Sequence, residues 1–213
     1  LVQRKLGLRT GLASFDMSLG CSGYVYGLTA VTGFMAGAGL KRALLVTADC
    51  YSKVSDPADR ATAPLFSDAA AATLITDQPL YRAGQPVFGT DGSGAPALIV
   101  KCGGSRAPAE RGTLFMDGRA IYTFAMSRIP QDIEQCLALN GLVPGDIDRF
   151  VFHQANRFML ESLRNRMKLP AEKVVIDVAD GGNTVGSTIP IALEPLLKER
   201  PRRILVSGFG VGL

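Results

Sequence analysis

Apolar residues in this chain fall in short clusters separated by glycine, proline and polar stretches. Arg42–Ala48, Ala69–Thr76 and Ile147–Phe152 have the length and flanks of buried strands. Leu12–Phe15, a run near Ala97–Lys101, Val174–Ile176 and Arg203–Ser207 read the same way. Other stretches carry a helical period. Small residues from Ser22 to about Gly37 predict a helix. Ile129, Ile133, Cys136 and Leu137 predict another over Ala125–Leu139, with Pro130 in its first turns or kinking it and Gly141 as its stop. Phe158, Leu160, Leu163 and Met167 mark a helix opening near Asn156, and Thr184–Lys198 reads as one more. Asp49–Arg60 reads as a polar loop, and 79–117 form a glycine- and proline-rich, insertion-like region. Strands alternate with helices in both halves, which predicts an α/β fold with mainly parallel, buried sheets.

Composition narrows the class. The chain has 213 residues, 47% hydrophobic and 20% charged, enough for one large or two small domains. Its net charge of +4 fits an anionic partner, but the basic residues are not interleaved with aromatics as on a nucleic-acid platform. No apolar run reaches the roughly 18 residues that span a bilayer. Cys21, Cys50, Cys102 and Cys136 are widely spaced, without the C-x-x-C pairing of a zinc or redox site. Such cysteines, with no signal peptide, favour a reducing cytoplasm. Leu1–Leu6 reads as the end of a helix stopped by Gly7, and the chain closes on a glycine turn. The ends are expected to be those of a piece of a longer polypeptide.

Three polar residues are each placed where a strand turns into a helix. Cys21 lies in Asp16-Met17-Ser18-Leu19-Gly20-Cys21-Ser22-Gly23, ahead of the small-residue helix. Unpartnered N–H groups and the positive helix end there favour a thiolate. His153, the single histidine, follows a hydrophobic strand at its C-terminal end, where α/β sheets place chemistry. Asn183 lies in Gly181-Gly182-Asn183-Thr184. Each has a blander reading: a small buried cysteine, a core histidine, a turn asparagine. Together, thiol, imidazole and carboxamide admit two chemistries. One is a papain-type Cys-His-Asn hydrolase, whose residue order and separation of about 130 positions suit the chain, although the surroundings of Cys21 do not. The other is thioester chemistry, with the thiolate taking an acyl group and His and Asn donating to an enolate or oxyanion.

The stretch around Cys21, the run His153-Gln154-Ala155-Asn156, and Gly182-Asn183-Thr184 followed by Ile189-Pro190-Ile191-Ala192-Leu193 resemble the β-ketoacyl-acyl-carrier-protein synthase III family of the thiolase superfamily. Asp56-Pro57-Ala58-Asp59-Arg60 and the closing Phe209-Gly210-Val211-Gly212 also fit, so the resemblance covers essentially the whole chain. It implies a thiolase-like layered αβαβα fold with mixed, mainly parallel sheets, lacking an N-terminal part and a last strand. Residues 1–115 would be the remainder of the N-terminal half, and 116–213 the C-terminal half. The resemblance further implies that an acyl-CoA acylates Cys21 and that the backbone N–H groups of Cys21 and Val211 form the oxyanion hole. His153 and Asn183 would stabilise the enolate of a decarboxylating malonyl thioester, which then attacks the acyl-cysteine. Arg60, Gln154 and Arg157 would contact CoA or the carrier protein. No metal and no permanently bound cofactor are implied; acyl-CoA is a substrate, acyl-carrier protein a partner, and the protein a cytoplasmic homodimer engaging neither nucleic acid nor membrane. Two departures point to a specialised member: Phe158 stands where the family usually has arginine, and Phe66-Ser67-Asp68-Ala69 replaces Phe-Gly-Asp-Gly. Acyl transfer to a hydroxyl or amine without condensation, and non-catalytic thioester binding, are alternatives; retention of His153 and Asn183 opposes the first, and intact Cys21 the second.

Overall fold

The computed structural model describes residues 2–105, 107–108 and 112–210. A short helix α1 (Val2–Lys5) leads into residues 8–19, which form neither helix nor ladder. The strand expected at Leu12–Phe15 is therefore absent: no described strand lies beside it to take its backbone bonds, and Phe15 is exposed, its ring edge-on to Phe34. Helix α2 (Gly23–Ala38) follows, ended by Gly39 in the left-handed conformation at φ 63°, its N–H bonded to Met35 O. Then come β1 (Arg42–Asp49), β2 (Ala69–Thr76), β3 (Leu98–Val100), β4 (Leu114–Met116), α3 (Gly118–Leu139), β5 (Arg149–Phe152), α4 (Arg157–Arg166), α5 (Thr188–Glu199) and β6 (Ile204–Ser207). No described helix is long and apolar enough to cross a membrane.

The mixed α/β architecture is as expected, but the balance of strand directions is not. Among the described strands β1–β2 and β3–β4 pair antiparallel and β5–β6 pairs parallel, with two isolated parallel bridges besides. The loop of residues 50–68 returns the chain alongside the strand it has just left, and such a return needs no crossover helix. Val174, expected within a strand, makes a single parallel bridge to Phe150. The strand β4 has no counterpart in the sequence pattern, because three residues are too few to show a period. Helix α3 starts seven residues earlier than its apolar spacing suggests, capped by Asp117, whose carboxylate accepts from Ala120 N. Pro130 therefore lies mid-helix rather than in the first turns.

Strand alternation sorts the core into two layers. Phe150 and Phe152 point to one face of β5, against Ile129 and Ile133 of α3 and Leu160 and Leu163 of α4. Val151 points to the other, where it meets Ile189, Ala192 and Leu196 of α5 and Tyr24 of α2. That second cluster joins the α2 half of the chain to the β5 half. The outer face of β1–β2 is apolar and uncovered: Leu44 opposes Leu74 and Val46 opposes Ala72, with Leu44 and Leu74 48% and 65% exposed.

Candidate active site

Cys21 is buried, one residue before the cap of α2, and Gly23 N bonds Gly20 O across the turn that carries it. The residues after β6 pack directly on this turn. A Cβ on Gly210, where φ is 149°, would lie 2.8 Å from Cys21 Sγ, and one on Gly208 would lie 2.9 Å from Ser22 Cα. Only glycine lets the backbone pass this close to the thiol. Phe209, between them, sets its ring edge-on to the His153 imidazole at 5.6 Å. Two consecutive residues thus touch Cys21 and His153, which bounds how far apart the candidate nucleophile and imidazole lie.

His153 leaves the end of β5 with its N–H bonded to Ser207 O at 2.7 Å, continuing the parallel ladder by one step. The imidazole is buried, and burial pushes its pKa down to about 3 from 6.5, opposed by a contact with the Val185 carbonyl. Its Nδ1 lies 2.8 Å from Thr188 Oγ1, at the start of α5. That hydroxyl is also within donating distance of Val185 O, at 3.0 Å.

Asn183 is buried in the turn before α5, where its Oδ1 accepts the Val185 N–H at 2.9 Å. Among the described residues no hydrogen bond takes its Nδ2. Val185 holds φ at 56°, a strained conformation for a β-branched residue, and directs its carbonyl toward His153. The turn is stitched to the other half of the chain. Asn183 N bonds Leu65 O, and Ser67 N bonds Asn183 O. Ser67 Oγ donates to Gly181 O, Thr47 Oγ1 meets Ser187 Oγ at 2.8 Å, and Gly186 N donates to Asp49 Oδ2 at 3.0 Å. Burial raises the Asp49 pKa, and the Gly186 N–H opposes that rise. Thr188, Asp49 and Val185 have no signature in the sequence beyond their distance from Asn183 or from a strand end. Tyr51 is another such residue. Its ring stacks on Phe66 at 5.0 Å, and burial, then Cys21 and Asp49, push its phenol up to about 12.

The residues expected at the binding surface divide. Arg60 is exposed, on the loop where Asp59 Oδ1 takes the N–H groups of Ala61 and Thr62. Arg157 is exposed at the start of α4 and faces Glu161 at 3.8 Å. Gln154 corrects the expectation. It is buried, its Nε2 donates to the Phe152 and Val175 carbonyls, and its Oε1 accepts from Asp177 N. The whole amide braces backbone and offers nothing to CoA or a carrier. Asn156, in the same motif, caps α4 by accepting from Met159 N at 2.8 Å. Phe158 is 68% exposed and stacks on Tyr122 at 5.4 Å. Val211 lies outside the described residues.

Comparison with known proteins decides the family. The family described as 3-oxoacyl-[acyl-carrier-protein] synthase III matches residues 15–92, and its C-terminal counterpart matches residues 137–213. The chain belongs to the 3-oxoacyl-[acyl-carrier-protein] synthase III family. Within that family it is 36% identical over its full length to a β-ketoacyl-[acyl-carrier-protein] synthase III of Streptomyces coelicolor, covering 64% of that protein. It is 33% identical to a synthase III of Acaryochloris marina, covering 68%. A crystal structure of a 3-oxoacyl-(acyl-carrier-protein) synthase III superposes on 99% of the chain, and 69% of its own, with a TM-score of 0.93 at 39% identity. A priming β-ketosynthase from the R1128 polyketide pathway superposes with a TM-score of 0.90 at 28% identity. The thiolase-like fold follows from these likenesses. The chain spans about two thirds of the length of its synthase III relatives.

Proposed function

We propose that this protein is a synthase III-type condensing acyltransferase in fatty-acid initiation or in a specialised lipid, polysaccharide or secondary-metabolite pathway. An acyl-CoA transfers its acyl group to Cys21 Sγ, releasing CoA thiol. A malonyl thioester on acyl-carrier protein then loses CO₂, and its enolate carbon attacks the acyl-cysteine to give a 3-oxoacyl product and return the thiol. The half 1–115 supplies the nucleophile, and 116–213 supplies His153 and Asn183. The supporting observation is the packing of Phe209 and Gly210, which sets the His153 ring and the Cys21 sulfur against consecutive residues.

The oxyanion of acyl transfer is assigned to backbone N–H donors, those of Cys21 and, on the family resemblance alone, Val211. A neutral imidazole and the Asn183 amide stabilise the enolate, a task that plain transfer to a hydroxyl or amine does not set. Family membership likewise disfavours the hydrolase reading. Arg60 and Arg157, both exposed and cationic, face the nucleotide of CoA or the acidic surface of the carrier. We place the reaction in the cytoplasm, where the four dispersed cysteines stay reduced. A homodimer would cover exposed apolar residues such as Phe15, Met17 and Leu19.

The test is intact-mass spectrometry after exposure to a panel of acyl-CoAs. The wild type gains one acyl group, Cys21→Ser gains none, and His153→Ala is acylated but loses about 10²–10³-fold in condensation with malonyl-carrier protein. Acylation of Cys21→Ser would overturn the assignment of the nucleophile.

A further inference from the structure

We propose that Thr188 fixes which ring nitrogen of His153 carries the proton, and thereby presents Nε2–H to the Cys21 pocket as a donor. The inference rests on the function proposed above and adds a positioning residue to it. Nδ1 is turned to Thr188 Oγ1 at 2.8 Å, so Nε2 is the nitrogen left for a substrate. A donor role in enolate stabilisation needs the proton on Nε2, hence a donor aimed at Nδ1.

Two groups compete for that nitrogen. The Val185 carbonyl can only accept; it shares the Thr188 hydroxyl with Nδ1, which sets it on the Nδ1 side of the ring, and from there it draws the proton onto Nδ1. The Thr188 hydroxyl can donate, and its single proton has two acceptors in reach, Nδ1 at 2.8 Å and Val185 O at 3.0 Å. Val185 O already accepts the backbone N–H of Thr188, so it keeps a partner when the hydroxyl turns away. No other described hydrogen bond serves Nδ1. The arrangement that satisfies both acceptors and leaves a donor for chemistry has the hydroxyl on Nδ1. Thr188 is buried, so water does not substitute for it. Without the hydroxyl only the carbonyl remains on the Nδ1 side of the ring. The proton then moves to Nδ1, and Nε2 turns a lone pair toward the pocket.

The experiment combines ¹⁵N NMR of the imidazole with separate assays of Cys21 acylation and condensation, on wild type, Thr188→Ser and Thr188→Val, with Thr188→Ala as a second hydroxyl-free variant should the valine pack badly. Expected are the Nε2–H tautomer in wild type and Thr188→Ser, and the Nδ1–H tautomer in Thr188→Val. Condensation in Thr188→Val should fall by at least about tenfold more than acylation does, as when a wrong tautomer disables a catalytic histidine. A wild-type Nδ1–H tautomer, an unchanged tautomer without the hydroxyl, or equal loss in both half-reactions would overturn the proposal. Failure of the wild type to acylate Cys21 would instead overturn the proposed function, and the NMR result would stand apart from it.

Discussion

His153 shows at the scale of one residue how burial selects chemistry. An imidazole with its pKa pushed down to about 3 is neutral throughout the physiological range. Condensation by the acylated protein should therefore show no inflection near pH 6.5, a prediction checked by a pH–rate profile on pre-acylated protein. Stability has the opposite sensitivity. The unfolded chain binds a proton at His153 below about 6.5 and the folded chain does so only near 3. The contribution is complete above 6.5 and is lost as pH falls toward the folded value, so urea midpoints should drop in that window. His153→Gln, with nothing to protonate, should drop less. Gly210 sets a second limit at this scale. A Cβ there would sit 2.7 Å from Cys21 Cβ, and Gly210→Ala should suppress acylation while leaving the circular dichroism spectrum intact.

At the scale of elements, the turn of residues 183–188 depends on the first half of the chain. Asp49 accepts the Gly186 N–H, so Asp49→Ala leaves a partly buried donor without its partner, a loss of about 1–3 kcal/mol. Condensation should suffer more than acylation, because Asn183 and Thr188 move while Cys21 stays; single-turnover assays of the two half-reactions separate them. The elements themselves were largely legible. Apolar runs mark β1, β2 and β5, a run of small residues marks α2, helical spacing marks α4, and the stretch after the Asn183 turn marks α5, each to within a few residues. What the pattern could not carry is pairing. Leu12–Phe15 has the composition of a strand, yet a strand needs a neighbour, and composition does not say whether one is there. Gln154 failed for a related reason: a polar residue beside a candidate histidine reads as functional until its amide is seen bracing Phe152, Val175 and Asp177. Cys21, His153 and Asn183 stand out because each puts a reactive group where the apolar pattern reads as a strand turning into a helix, although only His153 follows a strand in the structure. Thr188 did not, since a threonine opening a helix is ordinary and its service to His153 is set only by folding.

For the whole molecule, stability and site share one core. Phe152 is fully buried at the end of β5, one residue before His153, against α3 and α4. Phe152→Ala should cost about 3–5 kcal/mol, measured by urea unfolding, and should lower both half-reactions together. The stitches from Thr47, Asp49 and Leu65 to the 183–188 turn run between segments more than a hundred residues apart. Scission of the exposed loop after β2, for instance by trypsin at Arg82, would thus cut the peptide without separating the pieces. The two fragments should co-elute on gel filtration and still take up an acyl group, because secondary bonds rather than chain continuity hold the thiol and the imidazole in register.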